Sequence, residues 1–265
     1  DILVHVKKSS DIMEAKKSNK IGIIYGFQNS APIANDIFLL EQFFIKGLRF
    51  MQLTYNNQTP LAGGCYEKND SGVSRFGEQV IEEMNRLGMI VDLSHAGKQT
   101  CLDAINFSKK PVTISHANPN FFHQSIRNID DEVLKRLAKN NGFIGLSLYP
   151  YHLKNHGDCK LEDFCEMINQ LVNLMGEDHI GIGSDLCMNW PDSVVMWMRN
   201  GKWTKKIDYG ESKDKNASWP KQVSWYSKPE DRSDFLSGMI LNGVHEKTAH
   251  KIIGNNWLNF MKNHF

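Results

Sequence analysis

Long hydrophobic runs are absent from this sequence. No window reaches about 18 consecutive apolar residues, the length that a membrane-spanning helix needs. The first residues also lack the basic stretch and apolar core that mark a secretory leader. We therefore expect a soluble chain without a membrane span, for which a cytoplasmic location is favoured over a periplasmic one. A leader removed by processing stays open.

Net charge is almost absent as well, since 31 basic side chains stand against 30 acidic ones. This balance excludes a bulk electrostatic attraction to nucleic acid or to an anionic membrane surface. The remaining expectation is a small-molecule partner. The sequence leaves the oligomeric state open, with a homodimer among the alternatives.

Cysteines are few and show no framework. The chain has 5 of them, without CxxC spacing and without the dense, even set of a small disulfide-rich domain. We expect free thiols, mostly buried. Cys65 and Cys187 lie near predicted strand ends, where one of them could act as a ligand or a nucleophile, although a small apolar filler is the favoured role.

Short apolar runs rich in β-forming residues alternate with longer helical patterns, which is typical of repeated βα units and a parallel sheet. A first short run covers Ile2–Val6 and is followed by a predicted helix over Asp11–Lys17. The later predicted strands are Ile21–Phe27, Leu48–Thr54, Met89–Ser94, Val112–Ser115, Phe143–Leu148 and Ile180–Ser184. The predicted helices between them include Ile33–Lys46, Phe76–Leu87, Asp130–Lys139 and Leu161–Met175.

Helix ends carry their usual signals. Ser74 is the expected N-cap of the helix that starts near Phe76. Glycines follow several predicted helices and are candidate C-caps, because glycine adopts the left-handed conformation that ends many helices. These glycines are Gly47, Gly88, Gly142 and Gly176.

The chain of 265 residues is predicted to be one α/β domain, a TIM-type (β/α)8 barrel that lacks its first one or two strands. Residues 187–228 have no clean period and are predicted to form a long loop or lid. Four of the six tryptophans lie in 190–219, and Trp225 follows. Residues 229–265 are predicted to form two C-terminal helices, the second of which packs its aromatic side chains on the exterior of the barrel.

In a β/α barrel the reactive side chains lie at the C-terminal ends of the strands. The residues at or just past the predicted strand ends are Gln28, Tyr55, His95, His116, Tyr149 and Asp185. His95 and His116 follow neighbouring strands with the same Ser-His ending, so both imidazoles are expected at the same height. Neutral imidazole is a common ligand of zinc, and neighbouring strands lie about 5 Å apart.

Each of these residues also has a possible structural role without chemistry. A single buried histidine more often donates to a backbone carbonyl than binds a metal, but two matched positions reverse that preference. Asp185 could be a helix N-cap, although a carboxylate that completes a His-His site is the favoured role. Arg127 could be a surface arginine paired with Asp130 or Asp131. Three further histidines, His152, His156 and His179, are expected at the surface.

Four motifs occur in order along the chain: Glu83–His95, Ile114–Asn118, Arg127–Glu132 and Gly181–Asp185. Together they resemble the renal or membrane dipeptidases, the zinc peptidase family M19. The resemblance implies a β/α barrel with two zinc ions that hydrolyses dipeptides, and some members also open β-lactam rings. It implies that His95 and His116 bind one zinc, that Asp185 binds the other and transfers protons, and that Arg127 binds the carboxylate of the substrate. Asn118 is a weaker candidate for substrate contact.

The chain departs from the family pattern at several positions. Gln28 stands where the family has a bridging glutamate, and a neutral amide is a weaker ligand for a pair of dications. Tyr55 replaces the histidine that stabilises the tetrahedral intermediate, and its phenol can also donate to an oxyanion. The His-x-Asp pair of the first family strand is absent. These changes predict a divergent branch with one or two zinc ions, the second in doubt.

The sequence therefore predicts a metal-dependent hydrolase of dipeptides or similar small amides, with Asp185 and Tyr55 as catalytic residues. Metal ligands are predicted to be His95, His116, Asp185 and Gln28, and substrate contacts Arg127, Tyr55 and Asn118. Two other functions stay open. One is a metal-free or catalytically impaired relative that serves as a binding module. The other is a hydrolase with one metal ion that opens a lactam or another cyclic amide.

Overall fold

Parallel strands followed by helices form most of this protein. The computed structural model describes residues 2–199 and 218–265, with the side chains of 196–199 left aside. The strands are β1 (Leu3–His5), β2 (Ile21–Ile23), β3 (Tyr25–Phe27), β4 (Leu48–Gln52), β5 (Ile90–Asp92), β6 (Thr113–Ala117), β7 (Phe143–Leu146) and β8 (Ile180–Ile182). The α-helices are α1 (Ser9–Lys17), α2 (Phe38–Lys46), α3 (Arg75–Leu87), α4 (Lys98–Phe107), α5 (Asp131–Lys139), α6 (Leu161–Met175), α7 (Asp192–Arg199), α8 (Arg232–Leu241), α9 (Glu246–His250) and α10 (Asn256–Lys262).

Every strand pair in the two sheets is parallel. Strands β3 to β8 form a six-stranded sheet in sequence order, and β1 pairs with β2 in a second sheet. Sequential order with helical crossovers is the pattern of β/α barrels, so the predicted TIM-type α/β fold is confirmed. Six strands were predicted from Ile21 onward, and the earlier apolar run at Ile2–Val6 forms a further strand, β1.

The six-stranded sheet is covered on both faces. Val91 and Ile114 belong to the large core cluster that also contains Ile81 of α3 and Leu134 of α5. Ile90, the residue before Val91, belongs to a separate cluster on the other face, because successive strand residues point to opposite sides. A layer of helices therefore covers one face of the sheet, and the other face carries a smaller apolar cluster.

Helix α10 covers this second face. Its Trp257 ring lies 4.3 Å from the Phe143 ring, and the indole N–H donates to the carbonyl of Ile182 at 2.8 Å. Gly181 of β8 permits this contact, since a Cβ there would lie 2.9 Å from Trp257. The prediction that these aromatics pack on the barrel exterior is wrong, because Trp257 and Phe260 lie on the face opposite the helix layer.

Other predicted boundaries also change. The predicted strand at Ile21–Phe27 is divided at Ile24, where its pairing partner changes from β1 to β4. Helix α2 begins five residues later than predicted, after an Asp36 carboxylate that accepts from Phe38 N at 2.9 Å. The segment predicted as a loop from residue 187 contains helix α7, and residues 200–217 lie outside the described part of the chain.

The helix ends confirm most of the capping residues predicted from sequence. Gly47 and Gly88 adopt left-handed conformations after α2 and α3, with φ of 106° and 85°. Gly142 is not a C-cap, because α5 ends at Lys139 with Asn140 as its C-cap, and Asn141 takes the left-handed turn. All five cysteines lie in the described part of the chain and stand outside any disulfide, as expected. Within the described residues, no helix is long and apolar enough to cross a membrane.

The Ser74 hydroxyl caps α3 as predicted. It accepts from Gly77 N at 3.0 Å and donates to the carbonyl of Pro60 at 2.6 Å. We expect Ser74→Ala to lower the free energy of unfolding by about 1 kcal/mol, the usual cost of a lost N-cap. Urea unfolding measures this difference. Ser237→Ala is the control, since that hydroxyl only bonds back to Ser233 O within α8 and contributes a few tenths of a kcal/mol at most. Equal losses for both variants would contradict a capping role.

Candidate metal centre

Two imidazoles meet at the C-terminal ends of the neighbouring strands β5 and β6. His95 lies just past β5, and His116 lies near the end of β6. Their Nε2 atoms are 3.0 Å apart, and both side chains are buried. The structure therefore brings together the two histidines that the sequence singled out.

Two neighbours hold the His95 ring in place. Its Nδ1 lies 2.6 Å from Asn56 Oδ1, and the Tyr55 ring stacks on it with centroids 4.1 Å apart. The backbone of His95 is left-handed, with φ of 67°, an uncommon conformation for a residue with a side chain. Burial, and to a lesser extent the charge of Arg127, hold the pKa of His95 well below the usual histidine value. The imidazole is therefore kept neutral, as a metal ligand must be.

Hydrogen bonding also fixes the protonated nitrogen of each ring. The Asn56 oxygen can only accept, so His95 carries its proton on Nδ1. His116 Nδ1 lies 2.7 Å from Ser115 Oγ, and that hydroxyl lies 2.5 Å from Asp92 Oδ2. Because a carboxylate can only accept, Ser115 donates to Asp92 and accepts from His116 Nδ1. His116 therefore also carries its proton on Nδ1.

This donor count leaves two ring lone pairs facing each other. Facing lone pairs 3.0 Å apart repel unless a cation lies with them. Two nitrogens about 2.0–2.1 Å from one tetrahedral zinc ion are separated by about 3.3 Å. Histidine ligands of zinc also typically donate their other ring N–H to an acceptor. The chemistry and spacing of this pair thus fit two of the four ligands of one zinc ion.

The other predicted ligands lie on strands farther along the sheet. Gln28 follows β3 and is exposed, and Asp185 follows β8, with a left-handed φ of 53°. Each strand is two positions away from the histidine pair, which corresponds to about 10 Å in a sheet. Among the described residues, no group of three or more His, Cys, Asp or Glu side chains is arranged to hold a metal ion. Gln28 and Asp185 stay predictions as ligands.

A buried cation lies beside the pair. Arg127 is only 2% exposed, and its Nη2 donates to the carbonyl of His116 at 3.3 Å. Within residues 2–199 and 218–265, no carboxylate pairs with Arg127, and Asp130 pairs with Lys98 instead. The alternative of a surface arginine paired with Asp130 or Asp131 is therefore wrong.

Asn118 and His152 are both buried. The Asn118 amide is buried and is bonded to Ser147 on both its oxygen and its nitrogen, and the nitrogen also donates to His152 O. These contacts hold β6 to the chain that follows β7, and Asn118 as a substrate contact stays a prediction. His152 is 2% exposed with Nδ1 2.9 Å from Ser147 Oγ, so its predicted surface position is wrong. Tyr149 is half-buried beside the His152 ring.

Sequence reasoning missed the residues that orient the rings. Asp92 lies two positions before Ser94 in an otherwise apolar strand, and a buried aspartate there was the available signal. The matching serines Ser94 and Ser115 were noticed only as flanks of the histidines. Asn56 gave no signal, because it belongs to a loop whose path depends on tertiary contacts.

A cavity of about 450 Å³ is lined by residues that neighbour His95 and Arg127 in sequence. Ala96 and Gly97, which directly follow His95, form part of its wall, and so do Ile126 and Asn128, which flank Arg127. Cys65 also lines the cavity, and its backbone N–H donates to the carbonyl of His95 at 2.9 Å. Cavities of about 300–1,000 Å³ are typical of small-molecule sites.

Comparison with known proteins identifies the family of this chain. The family described as membrane dipeptidase, peptidase family M19, matches residues 2–193. An uncharacterized dipeptidase of Schizosaccharomyces pombe is 33% identical over 190 residues, which are 69% of this chain and 46% of that protein. Dipeptidase tcpJ of Claviceps purpurea is 32% identical over 216 residues, 76% of this chain and 51% of that protein. The chain thus spans about half the length of these two relatives.

Solved structures share the fold over nearly the whole chain. An amidohydrolase from Pseudomonas aeruginosa superposes with a TM-score of 0.91 and 31% identity, over 99% of this chain and 78% of that one. A metallo peptidase from Rhodobacter sphaeroides, liganded with a phosphinate mimic of the dipeptide L-Ala-D-Ala, gives a TM-score of 0.81 over 99% of this chain and 69% of that one. At 18% identity, this second likeness concerns the fold alone. The family match covers well over half of the sequence, and the chain belongs to the membrane dipeptidase family, peptidase family M19.

Proposed function

We propose that this chain forms the active site of a metal-dependent hydrolase that cleaves dipeptides or similar small amides. The observation that carries the proposal is the 3.0 Å approach of His95 Nε2 and His116 Nε2, while Asn56 and Ser115 lie against the Nδ1 atoms of the two rings. Family membership supports the reaction class, and the two fungal relatives are named dipeptidases.

We assign zinc to the histidine pair. When bound, zinc supplies Lewis acidity toward a carbonyl and lowers the pKa of water toward about 7. Two neutral imidazoles with oriented Nδ1 protons suit this metal. A second ion would rest on Gln28 and Asp185, which follow β3 and β8 at the two ends of the six-stranded order and come together as a barrel closes. We therefore propose one zinc ion on His95 and His116, and a second zinc ion that depends on binding by Gln28 and Asp185.

The protein groups around the pair supply the remaining chemistry. Asp185 is proposed as the residue that takes a proton from the attacking water and passes it to the leaving amine. Tyr55 is proposed to donate its hydroxyl to the oxyanion, since its ring already stacks against His95.

Arg127 is proposed to bind the free carboxylate of the substrate. A guanidinium presents two parallel N–H groups that match a carboxylate, and burial strengthens such a pair. The side chain is buried beside His116 and has no carboxylate partner among the described residues. A dipeptide would bring its own carboxylate to this cation and its peptide bond to the histidines.

The test uses the full-length gene product. We expect bound zinc by elemental analysis, turnover of dipeptides, loss of turnover after chelation and recovery on addition of zinc. The substrate panel includes dipeptides, C-terminally amidated dipeptides, a β-lactam and another cyclic amide.

Other results would overturn the proposal. A zinc-loaded protein that opens only cyclic amides would be a lactam hydrolase rather than a dipeptidase. A protein that binds peptides without metal and without turnover would be a binding module.

A further inference from the structure

The Asp92 carboxylate accepts five hydrogen bonds, more than a side chain at the end of a strand usually accepts. The side chain ends β5 and is 4% exposed. Its Oδ1 accepts from Ser94 N, Ser94 Oγ and Ser115 N at 3.1, 3.0 and 2.9 Å. Its Oδ2 accepts from Ser115 Oγ at 2.5 Å and from Gln52 Nε2 at 3.0 Å. A buried carboxylate is costly without such compensation, and here five donors supply it.

These bonds replace the backbone ladder at the end of two strands. The ladder between β5 and β6 consists of the single pair Asp92 and Thr113, followed by a bond from Leu93 N to Thr113 O at 2.7 Å. Beyond it, Asp92 binds the backbone N–H groups of Ser94 and Ser115. Ser94 Oγ in turn accepts from the backbone N–H of His116 at 3.0 Å. Side chains therefore hold together the two strand ends that carry the histidines.

A second connection reaches the imidazole ring itself. Asp92 Oδ2 accepts from Ser115 Oγ, which accepts from His116 Nδ1 at 2.7 Å. This is a carboxylate–serine–histidine chain that ends at the nitrogen opposite the proposed zinc ligand. Carboxylates linked to a metal-binding histidine fix its tautomer and raise its basicity.

We propose that Asp92 is the positioning residue of the metal centre: one carboxylate sets the spacing of both imidazoles and, through Ser115, fixes the Nδ1 tautomer of His116. The inference rests on the proposed function only in taking His95 and His116 as metal ligands. It does not depend on which amide is cleaved.

Asp92→Asn tests the proposal in the full chain. Asparagine keeps the size, but one oxygen becomes an NH2 group that faces donors. We expect zinc affinity to fall about 10- to 100-fold, as for other groups that orient a ligand. Competition with a chromophoric chelator measures this affinity. Asp103→Asn is the matched control, because that carboxylate binds Val73 N and Gln99 Nε2 away from the histidines. The control is expected to keep wild-type affinity.

Ser115→Ala isolates the connection to the ring, because Asp92 keeps its bonds to Ser94 N, Ser115 N and Gln52. Long-range ¹H–¹⁵N spectra of the metal-free protein report the tautomer of each histidine. We expect His116 to lose its pure Nδ1–H form in this variant and in Asp92→Asn, while His95 keeps its own through Asn56. A loss of thermal stability alone would not move this signal.

The outcomes separate this inference from the proposed function. Unchanged zinc affinity together with an unchanged His116 tautomer in Ser115→Ala would overturn it, even if Asp92→Asn fails to fold. A shifted tautomer with weaker zinc binding supports it, whatever amide the enzyme cleaves. A wild-type protein that binds zinc but hydrolyses no dipeptide would refute the proposed function and leave the positioning role of Asp92 intact.

Discussion

His116→Ala is expected to weaken zinc binding by about 100- to 1,000-fold. Structural zinc sites with four ligands have apparent binding free energies of about 10–16 kcal/mol, so one ligand accounts for about 3–4 kcal/mol. Among the residues that the structure describes, two oriented imidazoles are available to zinc, with their Nε2 atoms 3.0 Å apart. Loss of either one therefore removes the chelate. At zinc concentrations below the Kd of the variant, dipeptide turnover should fall in proportion to zinc occupancy.

Chelator competition and steady-state turnover, measured on the same preparations, check this result. His250→Ala is the control, since His250 lies on the exposed side of α9 and far along the chain from either strand end. It is expected to keep wild-type affinity and turnover. Wild-type zinc affinity in His116→Ala would remove His116 from the ligands and leave the facing lone pairs without a metal-binding role.

Local patterns were sufficient to predict the parallel sheet. Apolar runs such as Phe143–Leu148, separated by amphipathic helices, specify βα units because strands buried on both faces need continuous apolar sequence. They did not predict the break at Ile24, where one run changes its pairing partner, because pairing depends on which strands lie nearby. The prediction of where Trp257 packs was wrong for the same reason. An aromatic helix can cover either face, and the glycines Gly145 and Gly181 that admit it lie far away in sequence.

The candidate site was also predictable only in part. His95 and His116 were predictable because the rule that barrel chemistry lies at strand ends needs only the strand boundaries. Their orientation was not, since it depends on Asn56, Asp92 and Ser115, which reach the rings from other segments. His152 was misplaced because a histidine beside Tyr151 looks like an ordinary loop residue. Its burial follows from a fold in which its carbonyl accepts from Asn118 and Asn128.

Arg127→Gln is expected to lower kcat/KM for dipeptides about 30- to 3,000-fold. Breaking one partner of a buried, hydrogen-bonded charge pair costs about 2–5 kcal/mol, and each 1.4 kcal/mol is about tenfold in rate. Glutamine keeps hydrogen-bonding groups near His116 O but loses the charge and the fork. Arg127→Lys keeps the charge alone, and an intermediate loss is expected because an ammonium cannot bind a carboxylate through two parallel bonds.

The substrate supplies the second half of this test. A C-terminally amidated dipeptide has no carboxylate for Arg127, so wild-type enzyme should process it poorly, and Arg127→Gln should reduce its kcat/KM little further. Coupling between the two changes isolates the contact, since a general loss of structure would lower both substrates alike. Chelator competition on Arg127→Gln checks that zinc still binds. Equal losses on the free and the amidated dipeptide would mean that this buried cation maintains the β6 strand end through His116 O rather than binding the substrate.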